Sequence, residues 1–210
     1  HGIAVGDVDG DGCDEIMFGS AALNNDGTTL YTTKLGHGDA VHLCDIDPDR
    51  PGLDYYMPHE VKPFGISYRD ACTGEIIYRE HAEKDTGRGL AADIDSLHRG
   101  LEFWSSANKI MHDCHGNEII TTKNSVPVNF RIYWNGDLYD ELLGNSVNKG
   151  RPGENPMPYY QYCVAKWQGD HVERIKINGQ DFHEWGFSSS CNGTKATPCL
   201  QADLFGDWRE

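Results

Sequence analysis

One unit recurs along this chain and limits what it can become: a strand, an Asp-x-Asp turn, and a second strand. It opens with Ala4-Val5-Gly6-Asp7-Val8-Asp9 and returns through Asp14-Glu15-Ile16-Met17-Phe18. It recurs at Val41-His42-Leu43-Cys44-Asp45-Ile46-Asp47 followed by Leu53-Asp54-Tyr55-Tyr56, and at Leu90-Ala91-Ala92-Asp93-Ile94-Asp95 followed by Leu101-Glu102-Phe103-Trp104. A weaker copy runs from Phe130 to Asp137, and a last one from Leu200 to Glu210. Hairpins of a second kind lie between them, over Ser67–Tyr78, Ile110–Ile120 and Val164–Ile175, each turning at a glycine. Two hairpins per repeat make a four-stranded sheet, and a period of about 40 to 50 residues is that of a β-propeller blade. The expected fold is all-β: about four blades, too few for a ring of the larger usual sizes. Residues 1–210 then form a single partial propeller domain, an excerpt of a longer protein. The absence of an initiator Met before His1, and a strand-like run ending at Trp208-Arg209-Glu210, point the same way. Asn148 to Pro158, rich in Pro, Gly and Asn, reads as a long loop.

The first turn is an aspartate cage. Asp7, Asp9 and Asp11 alternate with small residues, and Gly10 and Gly12 let the backbone turn sharply. Carboxylates converging in this way repel unless a hard cation fills the centre, and Ca2+ takes such all-oxygen shells. The ligands on offer are Asp7, Asp9, Asp11, the carbonyl of Cys13, and Asp14 or Glu15. The spacing matches the front of an EF-hand loop, but the β-rich run Glu15 to Ser20 replaces the helix that would follow. Asp45 with Asp47, and Asp93 with Asp95, extend the pattern, so several Ca2+ ions are expected. The alternative is an acidic turn without metal. Weak to moderate calcium cages suit a secreted or periplasmic setting.

A net charge of -15 argues against nucleic acid as a partner. No apolar run is long enough to span a membrane. The seven cysteines include no CxxC pair that would point to zinc. Cys191 and Cys199 flank one loop, where a disulfide and free thiols are both open.

In a propeller, residues just before each repeated inner strand meet around the axis. At that phase stand His37, Arg88, Asn129 with Arg131, and Lys195. Lys195 precedes Asp203 by the interval at which His37 precedes Asp45. Glycines flank His37 and Arg88, which allows close backbone approach to a ligand. A ring of Lys, Arg, His and Asn in an acidic chain has the character of an anion site. Taken singly, each is as well explained as a solvated loop charge.

Several stretches carry a family likeness. Gly36-His37-Gly38-Asp39-Ala40-Val41-His42, Gly87-Arg88-Gly89-Leu90-Ala91-Ala92-Asp93-Ile94-Asp95, Trp134-Asn135-Gly136-Asp137-Leu138, Asn192-Gly193-Thr194-Lys195-Ala196-Thr197-Pro198 and Gln201 to Glu210 resemble the secreted bacterial rhamnogalacturonan lyases. The resemblance implies a calcium-rich propeller of about eight blades. It further implies cleavage of rhamnogalacturonan, the acidic pectin backbone, by β-elimination at galacturonate. On that basis Asn192, Gly193 and Thr194 contact sugar, Lys195 and Arg88 are the catalytic candidates, and Arg131 is a reserve beside Asn129.

The chemistry fits those residue types. Removing the C5 proton of a uronate needs positive charge at the carboxylate, from Ca2+ or Arg, and a base at C5. Lys195 serves as base if neighbouring positive charge lowers its pKa, and Arg88 can clamp the carboxylate with two hydrogen bonds. A cation at the channel mouth, held by His37, Asp39, His59 and Glu60, is a further expectation, although imidazole is an uncommon Ca2+ ligand. Two other functions compete: a calcium-stabilised binding propeller without catalysis, and a glycoside hydrolase acting through paired carboxylates.

Overall fold

The structure, a computed structural model, describes residues 2–146, 161–180 and 200–209. Among these the chain is all-β, with sixteen strands and no helix. The strands form four sheets, each an antiparallel meander of four strands in chain order. Sheet 1 contains β1 (Ile3–Gly6), β2 (Glu15–Phe18), β3 (Ala21–Leu23) and β4 (Thr29–Thr32). Sheet 2 contains β5 (His42–Cys44), β6 (Asp54–Pro58), β7 (Ile66–Asp70) and β8 (Ile76–Glu80). Sheet 3 contains β9 (Gly89–Ala92), β10 (Glu102–Ser105), β11 (Ile110–His112) and β12 (Glu118–Thr121). Sheet 4 contains β13 (Phe130–Ile132), β14 (Glu141–Ser146), β15 (Gln161–Trp167) and β16 (Val172–Arg174).

The period-two pattern of each repeat therefore becomes one sheet. The hairpin β3–β4 was not among those the repeat pattern picks out. Its turn is Asn24 to Thr28, where Gly27 N–H bonds the Asn24 carbonyl at 2.9 Å and Asp26 caps Thr28 N–H at 2.8 Å. The last repeat differs from its expected strand–turn–strand form. Residues 200–209 hold the acidic loop but no strand. There the Asp203 carboxylate accepts the N–H groups of Phe205, Asp207 and Trp208 at 3.2, 3.0 and 2.7 Å, so these three amides are satisfied within the loop. The expected loop Asn148 to Pro158, and both Cys191 and Cys199, lie outside the described residues.

The chain divides into two compact units, His1–Thr122 and Lys123–Glu210. The first contains sheets 1 to 3, stacked face on face. Every residue of β6 is buried, because its alternating side chains enter two cores. Tyr55 and Met57 pack with Met17, Ala22 and Val8. Tyr56 packs with Phe103, Ala91 and Tyr68. Phe103 is the hub of the second core: its ring centroid lies 5.5 Å from Tyr56, 5.7 Å from Tyr68, 5.2 Å from Tyr78 and 5.1 Å from His112.

The outer hairpins repeat one contact. The Tyr31 ring of sheet 1 covers Gly74 in sheet 2, and the Tyr78 ring of sheet 2 covers Gly116 in sheet 3. A methyl group on either glycine would lie 2.5 Å from the ring, and both have positive φ, 76° and 82°. Only glycine meets both demands.

In the second unit, sheet 4 buries Ile132, Leu142, Val164, Ala165 and Trp167.

Candidate functional site

Each acidic loop is fastened to the strand that follows it by one carboxylate. Glu15 accepts Val8 N–H at 3.0 Å. Asp54 accepts Ile46 and Asp47 N–H, both at 3.2 Å. Glu102 accepts Ile94 and Asp95 N–H at 2.9 and 3.0 Å. Glu141 accepts Trp134 and Asn135 N–H at 3.0 and 3.3 Å. Each heads the second strand of its sheet, and none is more than 3% exposed. Glu15 was expected here; Asp54, Glu102 and Glu141 were missed. Their sequence signal is an acidic residue at the head of an otherwise apolar strand.

A buried carboxylate needs an answering charge or proton. In sheet 4 the answer is built in: Lys166 Nζ lies 3.3 Å from Glu141 Oε1 and also pairs with Asp137. In sheet 2 the Tyr68 hydroxyl donates to Asp54 at 3.2 Å. In sheet 3 Glu102 Oε1 is buried with no hydrogen-bond partner among the described residues. Burial, and then the charges of Asp93 and Asp95, push the Glu102 carboxyl up to about 8 against the pull of its two N–H donors. In sheet 1 donor oxygens of Asp7, Asp9 and Glu15 lie within 4.8 Å of one another. Asp11 accepts Cys13 N–H at 2.7 Å, while Asp7 accepts the N–H groups of Gly10 and Gly12 at 2.7 and 3.0 Å. All-oxygen donors of this kind fit Ca2+, and the unanswered Glu102 oxygen fits a cation beside Asp93 and Asp95. Asp45 is exposed, and Asp47 is buried and groups with Cys114 and His115.

A second cluster gathers at the other end of these strands. Donor atoms of His37, Asp39 and Glu60 lie within 4.8 Å of one another, and His37 Nδ1 is 3.8 Å from Glu60 Oε2. Backbone bonds tie the contributing loops together: Glu60 N–H to the His37 carbonyl at 3.1 Å, Thr86 N–H to that of His59 at 3.1 Å, and Ser106 N–H to that of Arg88 at 3.0 Å. A methyl on Gly87, next to Arg88, would lie 3.8 Å from Glu60 Oε1. The Arg88 loop thus lies against the cluster. Partial burial lowers the Arg88 pKa, but arginine remains charged. A methyl on Gly38 would meet the Pro58 carbonyl oxygen at 1.8 Å, so only glycine fits between His37 and Asp39.

His59 lies beneath this cluster. It is fully buried, its Nε2 is 2.8 Å from Ser67 Oγ, and burial, then the charges of Arg69 and Arg79, bring its pKa down to about 4. It is not one of the three converging donors. Buried Arg69 supports the His37 loop from behind. It stacks 4.3 Å from the Tyr55 ring and donates to the Gly19 carbonyl at 2.8 Å, and a methyl on Gly19 would lie 3.5 Å from His37 Cα. In the second unit Arg131 pairs with buried Asp140 at 3.2 Å, and Asn129 lies just before β13. Asn192, Gly193, Thr194 and Lys195 lie outside the described residues.

A family model described as "Rhamnogalacturonan lyase family 11, C-terminal domain" matches residues 1–210. The chain belongs to this family. Among curated members it is 45% identical over 215 residues to the rhamnogalacturonan endolyase YesW of Bacillus subtilis, and 43% identical over 226 residues to the rhamnogalacturonan exolyase YesX of the same organism. All of the chain is covered in both, against 30% and 34% of those proteins, so it spans about a third of their length. The crystal structure of YesW superposes with a TM-score of 0.81 at 41% identity, covering 100% of this chain and 32% of that one. The Bacillus licheniformis rhamnogalacturonan lyase PL11 gives 0.78 at 41% identity, covering 99% and 32%. The resemblance drawn from the Gly-His-Gly-Asp and Gly-Arg-Gly-Leu runs therefore stands.

Proposed function

We propose that this chain is part of the catalytic body of a rhamnogalacturonan lyase, with its sheets as blades of a β-propeller, acting on pectic backbone outside the cytoplasm. The observation that carries this is the convergence of His37, Asp39 and Glu60 against the Arg88 loop, in a chain of the lyase family. Arg88 pairs with the galacturonate carboxylate through its planar fork and holds the sugar in register. That charge stabilises the carbanion-like state as the C5 proton leaves. The family resemblance names Lys195 as the base that accepts this proton. The C5–H electron pair then forms the C4–C5 double bond, and the C4–O bond breaks with its electrons going to the departing rhamnose oxygen. Asp7, Asp9 and Glu15, Asp93, Asp95 and Glu102, and His37, Asp39 and Glu60 are the residues that would hold Ca2+. Bound there, Ca2+ neutralises the loops and, at the last set, adds positive charge near the substrate carboxylate.

Incubation of the full-length protein with rhamnogalacturonan, followed by ultraviolet absorbance, tests this. The unsaturated product makes absorbance grow. Arg88→Ala should lower kcat/KM by about 10²–10³-fold, and Lys195→Ala should abolish turnover with the fold retained. New reducing ends without absorbance mean hydrolysis, and neither signal means a binding protein; either result defeats the lyase assignment.

A further inference from the structure

Among the described residues, one further cluster joins Asp47, from the acidic loop of sheet 2, to a thiol and an imidazole of sheet 3. Asp47 follows β5, whereas Cys114 and His115 sit in the turn between β11 and β12. The His37 cluster precedes β5, so the two groups lie at opposite ends of that strand. Cys114 Sγ is 3.1 Å from His115 Nδ1 and 3.1 Å from the Arg99 carbonyl oxygen. Asp47 Oδ2 is 3.9 Å from His115 Nε2. One donor atom from each of these three residues lies within 4.8 Å of the others.

We propose that Asp47, Cys114 and His115 bind a borderline transition-metal ion of the zinc class, joining sheet 2 to sheet 3. Sulfur, imidazole nitrogen and carboxylate oxygen form a donor set that zinc accepts and that calcium, which takes oxygen, does not. Ligands about 2.0–2.3 Å from a tetrahedral zinc stand roughly 3.5 Å apart, so closure on the ion needs shifts of only about an ångström. Water takes the fourth position.

The ligands are held from behind, as metal ligands are. Asp47 Oδ1 accepts Asp49 N–H at 3.1 Å, which leaves Oδ2 facing the histidine. Asp113 fixes the turn by accepting the N–H groups of His115 and Asn117 at 2.9 and 2.8 Å, and the Tyr78 ring seats Gly116. His115 is 55% exposed at its side chain and gives the ion its entry from solvent. A catalytic thiol is excluded by position: Cys114 is 1% exposed and its sulfur is directed at the Arg99 carbonyl. The remaining alternative is a metal-free chain of hydrogen bonds from thiol to imidazole to carboxylate.

Cobalt decides between them. Protein stripped with chelator and returned to excess calcium is titrated with Co2+ and then with Zn2+. The expected result is one equivalent bound per chain, with a thiolate-to-cobalt charge-transfer band in the near ultraviolet that zinc displaces. Cys114→Ser should remove the band. His115→Ala, at an exposed position that the fold does not need, should weaken Zn2+ binding at least about tenfold. The proposal is overturned by a parent protein with no band. It is equally overturned by a band and a zinc equivalent that persist in both variants, which would put the metal on other cysteines.

Discussion

Lys166 does for one acidic loop what a divalent ion is proposed to do for others. Its ammonium reaches Glu141, which is fully buried, and also holds Asp137. An amine on a flexible stem carries one charge to a fixed place at no cost in binding entropy from solution. Lys166→Ala should therefore destabilise the chain in chelator by about 1–3 kcal/mol, less than a fully dry ion pair because the amine is partly solvated. Added calcium should recover part of the loss, raising the thermal midpoint of the variant more than that of the parent. Equal calcium responses in the two proteins would show that the lysine does not stand in for an ion. At this scale the short-range chemistry was legible in part: Asp7, Asp9 and Glu15 bring donor oxygens together, whereas Asp11, expected with them, accepts Cys13 N–H instead. Lys166 and Glu102 were not, since their partners are set by strand pairing.

At the scale of elements, glycine placement carries much of the architecture. Gly116 has positive φ and the Tyr78 ring directly over it. Gly116→Ala should cost about 1–3 kcal/mol, from backbone strain together with displacement of the tyrosine. Gly136→Ala is the control: nothing lies within 4 Å of a methyl group there, and its φ is not positive. Its effect should stay within about 0.5 kcal/mol. Urea unfolding of both variants makes the comparison. The glycine turns were readable, and the hairpins β7–β8, β11–β12 and β15–β16 follow them. The hairpin β3–β4 was passed over because its strands are short and its turn is built from Asn and Asp side chains. The terminal acidic loop was over-read, because an Asp-x-x-x-Asp pattern specifies a loop but cannot supply the neighbour that a strand must pair with.

Across the first unit, sheet 2 is the middle layer, and its cores are shared with sheets 1 and 3. Phe103→Ala should cost about 3–5 kcal/mol, because the ring contacts sheets 2 and 3 at once. Circular dichroism and tyrosine fluorescence should then lose their signals together at a lower denaturant midpoint, with no separate transition for sheet 3. The repeat made this layering legible as a period. It also placed His37 and Arg88 at matching phases, and their loops do lie together. Asp47, Cys114 and His115 come from different phases of different repeats, so only the stacking of whole sheets brings them within reach of one another.

The carboxylate that heads each second strand has a mechanical consequence. Glu102 bonds the amides of Ile94 and Asp95, in the acidic loop, with one oxygen, while its other oxygen is buried at the head of β10. It is therefore a lever with one end in the loop and the other in the sheet. A cation held in that loop would thus be felt at the head of β10 through two amide bonds.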